Sequence, residues 1–147
     1  FALGADIRIA AGKTQLNFNS LNKVWVPCSG GVGLLGLLVG HSSARQWTLT
    51  SKSVSYEEAL EKGLISDTSA NLQEILESIT KQSPVARIQT KRSLLEAIMP
   101  ELTRVFEFES IFSFASMKTN DWKKDPQNNP EETFMSAREL AAQLQEH

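Results

Sequence analysis

The chain is poor in the residues that build disulfides and metal sites: among 147 residues it has one cysteine, Cys28, and two histidines, His41 and His147. A lone cysteine excludes an intrachain disulfide and is compatible with a reducing compartment. One cysteine and two histidines also give no metal-ligand spacing, so a zinc site is not expected. There is no basic excess either, with 15 Lys plus Arg against 17 Asp plus Glu and a formal net charge of −2. A phosphodiester backbone would find no electrostatic footprint here, and no nucleic-acid partner is expected. Long hydrophobic runs are missing too. The longest, Val32 to Val39, is broken by Gly33 and Gly36 and falls far short of the roughly 20 residues that span a bilayer, so no membrane partner is expected. No basic segment followed by an apolar stretch and cleavage site opens the chain. It starts at Phe1 rather than Met, which suggests a processed product or a piece of a longer one.

What is present suits a folded domain. Hydrophobic residues make up 41%, and with the glycines they reach the range of soluble globular chains. From Ala5 to Ala10, Ile7 and Ile9 alternate with Asp6 and Arg8, the period of a half-buried strand. Leu16 and Phe18 alternate with Gln15, Asn17 and Asn19 in the same way, and Val24-Trp25-Val26 reads as a short strand stopped by Pro27. The segment from Gly31 to Val39 is too glycine-rich for a solvent-exposed helix and must be buried if it is helical. Ser42-Ser43 predicts a helix start, with the helix running to about Thr50. Ser55 followed by Glu58 is a capping box for a helix from Tyr56 to Lys62, stopped by Gly63. Leu64-Ile65-Ser66 reads as a brief extended piece.

The second half reads as helices punctuated by proline. Leu72, Ile75, Leu76 and Ile79 share one face. Pro84 starts a helix to about Met99, and the helix after Pro100 is apolar over more than half its girdle, which predicts cover from a partner or a subunit interface. Thr119 to Asn129 is a polar loop, and Pro130 predicts the start of a last amphipathic helix carrying Phe134, Ala137, Ala141 and Leu144 on one side.

Candidate chemistry is sparse. Gly30-Gly31-Val32-Gly33 at a helix start offers free N–H groups to an anion, but it lacks the Lys-Ser or Lys-Thr of a P-loop, and tight backbone packing is the stronger expectation. Cys28 would need a base to act as a nucleophile, and a buried, apolar role is the stronger expectation for it. Glu57, Glu58, Glu61, Glu74 and Glu77 lie opposite apolar faces and read as a solvated surface. Asp6 interrupts a strand and reads as structural or as orienting a loop.

Phe1-Ala2-Leu3-Gly4-Ala5-Asp6-Ile7-Arg8-Ile9-Ala10, then Val26-Pro27-Cys28-Ser29-Gly30-Gly31, Leu38-Val39-Gly40, Ala44-Arg45, Leu49-Thr50 and Ser55-Tyr56-Glu57-Glu58-Ala59 through Gly63-Leu64-Ile65 follow one another in a distinctive order. In that order and spacing the chain resembles the C-terminal half of the enoyl-CoA hydratase/isomerase (crotonase) family. The resemblance implies an α/β fold, with residues 1–68 as the C-terminal part of a β-β-α spiral core and residues 69–147 as a helical oligomerisation region. It further implies an acyl-CoA substrate, coenzyme A only as part of that substrate with no bound cofactor, and a homo-trimer or hexamer. The cytoplasm is the expected location, or the mitochondrial matrix in a eukaryote.

In such proteins two backbone N–H groups stabilise an enolate oxygen, and both would match positions before Phe1. One hydratase glutamate would also precede Phe1; the other acid/base positions fall at Ser20, Cys28 and Ser29, none of which is a carboxylate. Ser20, Cys28, Ser29, Gly30 and Gly31 are then the implied substrate-binding residues, with the catalytic groups unknown. The basic residues that some relatives carry on the last helix to meet the CoA phosphates are unmatched at Leu140 to Gln143, and Lys118, Lys123 and Lys124 near the polar loop are the candidates to take their place. Two functional readings stay open: an acyl-CoA enzyme of hydratase or isomerase type, and a non-catalytic oligomeric binding or scaffold protein.

Overall fold

The computed structural model describes residues 2–10, 12–66, 72–125 and 128–145. Phe1, the expected division between residues 68 and 69, Pro126-Gln127 and His147 lie outside them. Two short strands, β1 (Gln15–Asn17) and β2 (Ser53–Ser55), pair antiparallel with Leu16 opposite Val54. Between and after them come helices α1 (Gly33–Val39), α2 (His41–Leu49), α3 (Tyr56–Glu61), α4 (Leu72–Thr80), α5 (Pro84–Glu96), α6 (Met99–Lys118) and α7 (Ala137–Gln145). None of the described helices is long and apolar enough to cross a membrane.

The core forms where α1, α2, β2 and α3 close on one another. Leu35, Val39, Ala44, Trp47, Val54, Ala59, Leu64 and Ile65 are buried there, and Phe18 tilts against Trp47 with ring centroids 5.5 Å apart. The glycine-rich α1 is thus buried along one face, through Leu35, Gly36 and Val39, while Leu37 on the other side stays 41% exposed. Ser55 caps α3 by accepting from the Glu58 N–H at 3.2 Å, and Gly63 takes φ +70 just beyond the helix. That left-handed position suits glycine.

Four local expectations are corrected. Of the Ala5–Ala10 alternation only Ile9 has a ladder partner among the described residues, in a parallel bridge to Ser66, and Ile7 stays exposed. Val24-Trp25-Val26 is not a strand. Val24 closes a 3-10 turn (Leu21–Lys23) at φ +57, and the N–H groups of Val24 and Trp25 are spent on Leu21 and Ser20 carbonyls within the turn. Helix α2 starts at His41, directly after Gly40 at φ +78, rather than at the serines.

Pro130 does not begin the last helix. The Met135 N–H is held by the Asp121 carboxylate at 3.0 Å, and Lys124 Nζ donates to the Thr133 carbonyl at 2.7 Å, which ties this stretch back to the 3-10 turn Asp121–Lys123. The helix begins after Ser136, which exchanges hydrogen bonds with Glu139 in a capping box.

Helix α6 leaves an apolar surface uncovered. Leu102 is buried, but Phe108, Ile111, Phe112, Phe114 and Met117 are about half exposed or more. Leu72 and Leu76 on α4 are exposed as well.

Candidate functional site

The site is built on the turn after Pro27. Cys28 accepts from the Gly31 N–H through its carbonyl at 3.1 Å, and Ser29 and Gly30 take φ +58 and φ +81 in succession. Two consecutive left-handed residues turn the N–H groups of Gly30, Val32 and Gly33 to one side. There they meet a carboxylate of the same chain: Glu109 Oε2 accepts from Gly30 at 2.6 Å, and Oε1 accepts from Val32 at 3.0 Å and Gly33 at 3.2 Å.

The donors offered to an external anion are therefore occupied from within. Close packing accompanies the bonds. A Cβ on Gly33 would collide with Val105, and one on Gly30 would stand 2.8 Å from Phe106 Cε1. Glycine is required here by the approach of α6 as well as by the turn.

Beside this turn lies an apolar cavity of about 400 Å³, lined by Val24, Trp25, Val26 and Cys28 on one side and by Ser113, Ser116, Met117 and Trp122 on the other. That volume is within the range of small-molecule sites. Trp122 is fixed by its indole N–H, which donates to the Met117 carbonyl at 3.2 Å.

Cys28 lies on the cavity wall, and the expectation of a buried cysteine is corrected: the residue is exposed. Its sulfur has Ser29 Oγ at 3.9 Å, while His41 stacks over Gly36 of α1, where a Cβ would stand 2.9 Å from its Nδ1. The thiol and the imidazole occupy different places, so no Cys-His pair forms. Ser29, Gly30 and Gly31 follow Cys28 in the turn without lining the cavity. Ser20 precedes the Leu21–Lys23 turn, where its carbonyl accepts from the Lys23 and Trp25 N–H groups, and it does not line the cavity either. The structure thus brings four of the five implied site residues into one turn and leaves Ser20 at the preceding one.

Among the charged groups, Glu58 corrects the expectation of a purely solvated face. It accepts from the buried Trp47 indole at 2.9 Å and pairs with Lys52 at 2.8 Å, and the Lys52 ammonium holds its carboxyl below the usual glutamate range. Lys124 lowers the Asp121 carboxyl in the same way, helped by the Met135 N–H. Lys124 is thereby engaged with Asp121 and Thr133. Lys118 and Lys123 lie over the rings of Phe114 and Trp122. Asp6 pairs with Lys91 of α5 at 2.6 Å, both side chains exposed.

The residue that sequence reasoning missed is Glu109. Two signals point to it: it stands seven residues after Leu102 and four after Val105, on the inward stripe of α6, and a glycine cluster rich in free donors needs an acceptor.

The architecture recurs in solved proteins. An enoyl-CoA hydratase/isomerase from Pseudoalteromonas atlantica superposes with a TM-score of 0.76 at 18% identity, over 92% of this chain and 58% of that one. A carnitinyl-CoA dehydratase from Mycobacterium avium gives 0.73 at 20% identity, over 91% and 56%. These likenesses define a crotonase-type fold, of which this chain is a part.

The Enoyl-CoA hydratase/isomerase family profile matches residues 1–135, and the chain belongs to that family. A short-chain-enoyl-CoA hydratase of Clostridium acetobutylicum is 27% identical over 128 residues, which is 83% of this chain and 49% of that protein. The chain spans about half the length of the curated relatives it matches.

Proposed function

We propose that the chain supplies one wall of an acyl-CoA site in an enzyme of enoyl-CoA hydratase or isomerase type, with charge developing on the thioester oxygen in the reaction. The observation that carries this reading is the apolar cavity beside the Cys28–Gly31 turn, in a chain of this family. Such a cavity suits an acyl chain, since it offers mostly apolar surface, with the Cys28 thiol, the Ser113 and Ser116 hydroxyls and the Trp25 and Trp122 indole N–H groups as its polar side-chain groups. Cys28, Ser29, Gly30 and Gly31 shape the pocket on this reading, and Ser20 orients substrate or water nearby. The backbone donors for the oxyanion and the proton-transferring carboxylate come from elsewhere in the protein. The exposed aromatic face of α6 supports assembly into a trimer or hexamer, and the cytoplasm is the proposed location.

Titration of the protein as its source makes it with acetoacetyl-CoA, followed by calorimetry, tests this. Saturable binding is expected, and its absence would sink the reading.

A second reading, a non-catalytic binding or scaffold protein, is favoured by the lack of a carboxylate at Ser20, Cys28 and Ser29. Hydration of crotonyl-CoA by the unaltered protein would exclude it. A Ser20→Glu variant that still assembles but gains no hydration would favour it.

A further inference from the structure

Glu109 is a buried carboxylate with 8% of its surface exposed, and no cation pairs with it among the described residues. Burying such a charge is costly unless hydrogen bonds replace its water. Three backbone N–H groups do so, one on Oε2 and two on Oε1, so both oxygens are used. None of the bonded residues lines the cavity itself, but the turn and the helix that these bonds join each contribute one of its sides. Cys28, two residues before Gly30, belongs to one wall; Ser113, Ser116 and Met117, one to two turns beyond Glu109 on α6, belong to the other.

We infer that Glu109 is a positioning residue that sets the separation of the two cavity walls, and with it the fit of the acyl group. The acyl assignment rests on the function proposed above; the clamp itself does not. In Glu109→Gln an amide NH2 replaces one acceptor and faces backbone donors, so the turn must move away from α6. Glu109→Asp keeps the charge on a stem one methylene shorter.

The experiment compares parent, E109Q and E109D in the protein as its source makes it. Calorimetry with acetoacetyl-CoA and with free CoA is paired with the rate at which a maleimide labels Cys28. For E109Q the expected result is a loss of about tenfold or more in acetoacetyl-CoA affinity, the equivalent of one charge-assisted hydrogen bond. Free CoA should change less than about twofold, and Cys28 labelling should speed up.

Equal losses for both ligands, or no change in either, would overturn the proposal. Should the parent bind neither ligand, the acyl-CoA reading fails and the labelling rate alone decides the clamp: a faster rate in E109Q upholds it, and an unchanged rate overturns it. Should E109Q not fold, E109D gives the same readouts, with smaller changes of the same sign expected and unchanged values overturning the proposal.

Discussion

The indole Nε1 of Trp47 donates to Oε1 of Glu58 at 2.9 Å, which joins the fully buried ring of α2 to the first turn of α3. The same carboxylate also receives Lys52, from the segment leading into β2. One acceptor thus ties together three consecutive pieces of the core. Trp47→Phe keeps an aromatic against Phe18 but removes both the donor and part of the ring volume. A loss of roughly 2 kcal/mol in urea unfolding is expected. A change within experimental error would show that the core does not depend on this residue.

Acid should weaken the fold through the lowered carboxylates. Glu58 is held down first by its bond to Lys52, Asp121 by Lys124, and Glu139 by Ser136. A carboxyl depressed in the folded state binds its proton less readily there than in the unfolded chain. Its contribution is therefore complete above the unfolded value and is lost as pH falls through the folded one. The melting temperature should decline from about pH 4.3 downward, the ordinary glutamate value. The double variant Glu58→Gln, Asp121→Asn should show a shallower decline; parallel curves for parent and variant would count against this account.

Ser136 and Glu139 exchange hydrogen bonds at 2.7 and 3.2 Å across the first turn of α7. Removing the hydroxyl leaves the Glu139 N–H without its protein acceptor. Ser136→Ala should lower the stability of this helix by about 1 kcal/mol. Hydrogen exchange at the α7 amides is the appropriate measurement, because a terminal helix can open without global unfolding. Faster exchange confined to α7 is expected, and unchanged protection would mean that the cap does not hold the helix.

Much of the core was legible because its signals are local. The Ser55/Glu58 box, the Gly63 stop and the burial of one face of α1 each depend on residues within one or two turns. The errors have a common cause in contacts that reach across the chain. Val24 is valine in a left-handed turn, a conformation its own side chain disfavours. Pro130 looks like a helix start, yet the Asp121 and Lys124 side chains hold Met135 and Thr133 back against the preceding turn, outside a helix. Glu109 lies 79 residues from Gly30, and no window that finds a glycine motif contains its acceptor. The candidate site was therefore only half readable: the turn and the helix after Pro100 were each visible, and their docking through Glu109 was not.

The contact of Gly33 with Val105 gives the sharpest steric prediction for that long-range pairing. A Cβ at Gly33 would run into the Val105 side chain and stand 2.8 Å from Cγ2. Gly33→Ala must push α1 and α6 apart, at a cost of roughly 1–3 kcal/mol. At Gly12 nothing lies within 4 Å of the same added carbon, so Gly12→Ala serves as the control and should be neutral or slightly stabilising. Val105→Ala alone should destabilise modestly by removing packed methyl groups. Combined with Gly33→Ala, the smaller side chain makes room for the new methyl, so the double variant should be more stable than the sum of the single losses predicts. Strict additivity in urea unfolding would mean that the two residues do not meet, and the docking of α6 on the glycine turn would have to be redrawn.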